Sequence, residues 1–120
     1  MGISAAGSDA IRAKQVIGTS VKDLSGEKVG KVEDIVLDKL SNHIVFAIVG
    51  FGGFLGMGEK YHPIPWSSLK YDEREGGYVV PFSREMLEAA PADSIDALVA
   101  GNAMAYRDRS YDYYNAPHYW

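Results

Sequence analysis

Between Val16 and Phe82 the apolar residues fall into short runs, each ended by a polar segment rich in Gly, Asp or Asn, the rhythm of successive strands and turns. Thr19-Ser20-Val21-Lys22 is a short β-branched stretch. It is closed by Asp23-Leu24-Ser25-Gly26-Glu27, where Asp and Gly suit a hairpin turn. The run from Val29 to Asp38 carries Val32, Ile35, Val36 and Leu37, and its alternation slips between Val32 and Ile35, which predicts a bulge or strong twist. Leu40-Ser41-Asn42 turns the chain again. From His43 to Val49, Ile44, Phe46 and Ile48 share one face while Val45, Ala47 and Val49 share the other, so this strand is expected to be central and covered on both sides. Tyr61 to Leu69 carries Ile64 and Trp66, with Trp66 read as core. Pro63 and Pro65 lie in the opposite phase and cannot donate to a ladder, which predicts an edge or amides facing away from a partner. Asp72 to Gly77 is a polar turn, and Tyr78 to Phe82 a last short strand.

After Phe82 the pattern becomes helical. Ser83 is a good N-cap for a helix through Arg84, Glu85, Met86, Leu87 and Glu88, with acidic residues in its first turns and Pro91 beyond its end. A second helix is expected from Asp93 or Ser94 through Ile95, Leu98 and Val99, stopping near Gly101-Asn102. The last fifteen residues hold Tyr106, Tyr111, Tyr113, Tyr114, Tyr119 and Trp120, six of the chain's fourteen aromatics, which predicts a tail that docks on something rather than a solvated one. Short strands at regular spacing followed by this appendix indicate a mostly β fold, a small barrel rather than a parallel α/β sheet.

A length of 120 residues gives one domain with some excess. It divides into a flexible N-terminal segment over 1–10, a barrel over 11–90, and a C-terminal helix with the aromatic tail over 91–120. The absence of cysteine removes thiolate nucleophiles, disulfides and Cys-based metal sites. The net charge of -4 disfavours direct nucleic-acid binding, which relies on phosphate neutralisation. Met1 to Ala10 lacks the features of a signal peptide, and no run reaches the length of a membrane span, so a cytoplasmic location is the expectation.

The glycine-rich run Gly50 to Lys60 matches neither nucleotide-loop pattern. A dinucleotide fingerprint from Gly50 would need glycine where Leu55 stands, and a P-loop from Gly53 would need lysine where Glu59 stands. Glycine as a permissive connection leaves Phe51, Phe54, Leu55 and Met57 unexplained, so the loop either folds back on the barrel or contacts a partner. His43, His62 and His118 are scattered without metal-ligand spacing. Glu33-Asp34 are adjacent and point to opposite faces of a strand, and no serine sits in a nucleophile elbow. No catalytic, cofactor-binding or metal-binding residue is expected. Arg107 and Arg109 are offset by Asp108 and Asp112, so the tail makes a poor platform for stacking bases.

From about Ile11 to Pro91 the chain resembles the PRC-barrel family. The likeness is carried by Val16-Ile17-Gly18-Thr19-Ser20-Val21 leading into Asp23-Leu24-Ser25-Gly26-Glu27, and by Val29-Gly30-Lys31-Val32-Glu33-Asp34-Ile35-Val36-Leu37-Asp38. Ile44 to Gly50, His62-Pro63-Ile64-Pro65-Trp66 and Glu85-Met86-Leu87 follow in order, and Tyr111 to Trp120 is similar to the endings of small bacterial stand-alone members. The resemblance implies a compact antiparallel β-barrel of about six strands that binds protein partners and is not a catalyst. Such barrels occur in the H subunit of purple-bacterial reaction centres and in a ribosome maturation factor. Neither the membrane anchor of the first nor the additional N-terminal barrel of the second is read in this chain, so neither function is expected to transfer intact.

The expectation is therefore a non-catalytic binding or assembly module that associates with itself, as a homodimer or higher, and with an unidentified protein. Its contact surface is expected to combine Phe51, Phe54, Leu55 and Met57 with Tyr113, Tyr114 and Trp120. The alternatives are an accessory factor in 16S rRNA maturation that contacts a ribosomal protein and, ranked last, a small-ligand binder or enzyme with a barrel pocket.

Overall fold

A computed structural model describes residues 9–51, 60–101 and 103–120. Helix α1 (Ala13–Val16) leads into β1 (Ser20–Lys22), β2 (Lys28–Leu37), β3 (Ile44–Phe51) and β4 (His62–Pro65). A 3₁₀ turn (Trp66–Ser68) connects β4 to β5 (Lys70–Asp72) and β6 (Gly77–Val79), and three helices follow: α2 (Arg84–Glu88), α3 (Ile95–Val99) and α4 (Ala103–Tyr114).

Local chemistry sets these boundaries. The turn from β1 to β2 is organised by Asp23, whose Oδ1 accepts from the Ser25 amide at 2.9 Å, the Ser25 hydroxyl at 2.7 Å and the Glu27 amide at 3.0 Å. Those three bonds satisfy a carboxylate only 3% exposed and hold its pKa below the usual carboxylate value, the Ser25 hydroxyl foremost. Ser83 caps α2 by accepting from the Met86 amide at 3.1 Å, and Ser94 caps α3 by accepting from Ala97 at 3.2 Å.

The strands form one six-stranded sheet in the order β4-β3-β2-β1-β6-β5. The expected slip in β2 is a bulge: Val32 faces Val49 and Asp34 faces Ile48, so Glu33 is the extra residue. Pro63 and Pro65 lie on an edge strand that pairs with β3 alone. The expected antiparallel sheet is, however, mixed, because β6 runs parallel to β1. The reason lies between β4 and β5. The 3₁₀ turn carries the chain from one strand to the next without reversing it, so the usual alternation of direction is lost there.

The same connection curls the sheet. Laid flat, the two edge strands would stand about 24 Å apart, five spacings of about 4.8 Å. Pro65 to Lys70 spans at most about 17 Å even fully extended. The edges are drawn toward each other, but no ladder joins β4 to β5, and the hydrogen-bonded sheet stays open.

Val21, Val29, Val32, Ala47, Val49, Phe51, Ile64, Tyr78, Val80 and Leu87 form the main core. A second core lies against β3, in which Val45, Phe46 and Ile48 meet Leu98, flanked by half-buried Tyr61, Ile95, Tyr106 and Tyr119. β3 is thus covered on both faces, as its apolar pattern requires.

Candidate interaction surface

The second covering of β3 is built by α3 together with the C-terminal aromatic segment. The segment from Tyr106 to Trp120, read from sequence as a docking tail, is helical as far as Tyr114, within α4. Ser110, Tyr111 and Tyr114 are buried, and their spacing of one and four residues is that of a single helical stripe. The stripe lies along β4. There the Ser110 hydroxyl donates to the Pro63 carbonyl oxygen at 2.6 Å, an acceptor on the proline phase of the edge strand. Tyr111 donates to the Val45 carbonyl oxygen at 2.6 Å, and Tyr113 to that of Met86 at 2.6 Å. Tyr106 donates to Asp93, which lowers the Asp93 pKa from the usual carboxylate value. Tyr106, Tyr111 and Tyr113 thus pack their rings while their hydroxyls satisfy an oxygen elsewhere in the chain, whereas the Tyr114 hydroxyl is buried without a hydrogen-bond partner.

Asn115, in left-handed backbone (φ 52°), stops the helix, and the last residues return along it. His118 stacks on Trp120 with centroids 4.0 Å apart and planes within 9°, and the Arg107 guanidinium lies 3.7 Å from the Trp120 ring centroid. Tyr119 stacks on His43 at 4.7 Å and donates to Asp38 Oδ2 at 2.7 Å. With the amides of Leu40 and Ser41 also on this carboxylate, the Tyr119 hydroxyl holds the Asp38 pKa down to about 2. The chain end is therefore fastened to the β2–β3 hairpin.

The residues expected to bind a partner divide into three groups. Phe51 (4% exposed, stacked on His62 at 4.3 Å) and Tyr114 (5% exposed, against Phe82 at 4.6 Å) belong to the main core. Tyr113 is half-buried, while Trp120 keeps 46% of its surface open beside its stacking partners. Phe54, Leu55 and Met57 lie outside the described residues. Sequence reading did not single out Leu37 and Leu40, which are 58% and 97% exposed on the hairpin that Tyr119 grips. The available signal was Leu40 itself, an isolated large apolar residue in a turn.

Chemistry elsewhere in the fold is sparse. Among the described residues no cluster of three or more His, Asp or Glu could hold a metal ion. His62 is only 6% exposed, and burial lowers its pKa to about 4, so it is neutral and closed to solvent. Asp23 is committed to its turn. Burial pushes Tyr111 up to about 12.

Comparison with known proteins gives one family, the PRC-barrel domain, whose family model matches residues 8–87. No curated protein matches. Among solved structures, the chain is similar to a protein of Pseudomonas aeruginosa designated the 16S ribosomal RNA processing protein RimM. The identity is 10% and the TM-score 0.40, over 68% of this chain and 49% of that one. The chain thus spans about half the length of that relative. Among the described residues no helix is long and apolar enough to cross a membrane.

Proposed function

The chain belongs to the PRC-barrel family, and from that premise we propose that it is a non-catalytic binding and assembly module, associating with itself and with another protein. The observation that carries this reading is the C-terminal aromatic segment, which is fixed by hydroxyl bonds and stacking yet leaves Trp120 46% exposed. Leu37 and Leu40 stand exposed on the hairpin held by that same segment. Large apolar side chains presented on a rigid support lose little freedom on binding, and tryptophan is enriched where binding energy concentrates. Phe54, Leu55 and Met57 are proposed to add to the same surface, whereas Phe51 and Tyr114 support it from the core. The scarcity of clustered titratable groups among the described residues favours binding over catalysis.

The test is affinity purification of the tagged protein at native expression, nuclease-treated, alongside Trp120→Ala, Leu40→Asp and Phe54→Asp. The expected result is a protein recovered with the parent and depleted at least severalfold with each variant, while the melting transitions stay close to the parent's. Equal recovery with all four proteins would refute this surface. Small-subunit ribosomal proteins among those depleted would identify the partner as ribosomal.

A further inference from the structure

The two edges of the sheet are treated differently. β4 is closed: two of its four residues are prolines, and Ser110 of α4 occupies the outward Pro63 carbonyl. Among the described residues β5 has a ladder partner on one side only, β6, and it contains no proline. An open strand edge is a template for another strand, and proteins commonly guard it with charge, lysine above all. Lys70 is such a charge. It is exposed and, among the described residues, makes no ion pair, unlike Lys22, which is paired with Glu75.

We infer that β5 pairs antiparallel with β5 of a second copy about a two-fold axis at Tyr71, joining two sheets into one; this names the contact behind the self-association proposed above. Three observations select this occupant. Lys70 and Asp72 are two apart and so share the outer face of the strand. Centring the pairing on Tyr71 sets Lys70 of each copy opposite Asp72 of the other, giving two symmetric cross-strand pairs of opposite charge. The other simple registers fail. A parallel in-register pairing sets lysine against lysine, as does an antiparallel one centred on Lys70, and one centred on Asp72 sets carboxylate against carboxylate. The charge that discourages foreign strands thus becomes attractive only for a copy in this register.

The third observation lies on the other face. Trp66 packs on Tyr78 at 5.7 Å, and Tyr78 meets Tyr71 edge-on at 5.3 Å and 71°. Tyr78 is buried, whereas Tyr71, the end of the row at the open edge, is 44% exposed. Tyr71 of the second copy falls directly opposite and continues the row, so the same register that pairs the charges also covers the exposed ring. Three residues of strand make a small contact, so the association belongs to the weak, transient class.

Light scattering at concentrations up to roughly millimolar suits an association of this size. The parent is expected to dimerise. K70E sets glutamate against Asp72 and D72K sets lysine against Lys70, so each alone should dimerise at least about tenfold more weakly. Mixed in equal amounts, the two variants should form a heterodimer, because both pairs then regain opposite charge. Asp72 also accepts from the Arg74 amide at 3.0 Å within its turn, so a second test avoids altering it. In this cysteine-free chain, Y71C should cross-link on mild oxidation much faster than K39C, a cysteine placed on the distant hairpin. A parent that remains monomeric would overturn self-association itself. A parent that dimerises as tightly as K70E, with Y71C cross-linking no faster than K39C, would leave self-association standing and overturn the β5 contact.

Discussion

The Ser110 hydroxyl and the Pro63 carbonyl oxygen, 47 positions apart in the chain, meet at 2.6 Å, and through them the C-terminal helix seals one edge of the sheet. Both groups are out of solvent, so the bond is not exchangeable for water.

Replacing Ser110 by alanine removes the donor and leaves the carbonyl buried and unpaired. The expected loss is about 1–3 kcal/mol of unfolding free energy, read as a lower urea midpoint at unchanged slope. Native-state hydrogen exchange should accelerate first in α4. An unchanged midpoint would show that α4 does not depend on this bond for its hold on β4.

The strand that Ser110 seals is legible in the sequence, and the helix that carries Ser110 is not. Pro63 and Pro65 announce an edge because proline has no amide to give to a ladder, and β3 announces a doubly covered strand because both its phases are apolar. The bulge at Glu33 was legible for a similar local reason, a slip in alternation. In α4 the buried stripe includes a serine and two tyrosines, so the usual apolar signal of an amphipathic helix is weak, although Tyr106, Ser110 and Tyr114 stand at four-residue intervals. The parallel pairing of β1 with β6 has no local signature, since it depends on the chain not reversing at Trp66–Ser68. On the proposed surface, Trp120 was visible as an aromatic in a tail, while the placement of Phe51 and Tyr114 in the core follows from long-range packing that spacing does not encode.

Tyr119 and Asp38 give a prediction about ionisation. The Tyr119 hydroxyl is the largest influence holding the Asp38 pKa down to about 2. In Tyr119→Phe the Asp38 pKa should rise toward its ordinary value of 3.8 without reaching it, because the Leu40 and Ser41 amides remain on the carboxylate. An NMR titration of the carboxyl carbon reads this directly. An unmoved pKa would mean that the chain end is not held at the hairpin in solution.

Gly30 offers a steric prediction. A Cβ at this position would overlap the backbone carbonyl oxygen of Gly50 and come within 2.9 Å of the Phe51 Cα, so the obstruction is backbone on the adjacent strand rather than a side chain that can swing away. Gly30→Ala must therefore push β2 and β3 apart at the centre of the sheet, at a cost of roughly 3 kcal/mol or more. Lys39→Ala, at an exposed position on the same hairpin, should stay within about 0.5 kcal/mol of the parent. Equal stabilities for the two variants would refute the close approach of these strands.

His62 makes stability depend on acid. The ring is stacked on Phe51 and hydrogen-bonded to the Pro91 backbone, while Nδ1 is buried without a partner. Protonation would place a new N–H and a charge where nothing accepts them, and burial accordingly lowers the folded pKa from 6.5 to about 4. Because the folded value lies below the unfolded one, the unfolded chain takes up the proton first as pH falls. The contribution from neutral His62 is therefore complete above pH 6.5 and is lost progressively down to pH 4. The expected decline across that window is about 1–3 kcal/mol, with the lower figure applying if water partly screens the ring. His62→Phe should keep the stacking on Phe51 and flatten the dependence between those limits. Urea unfolding of parent and variant at successive pH values gives the comparison, and parallel profiles through the window would assign the acid sensitivity to other groups.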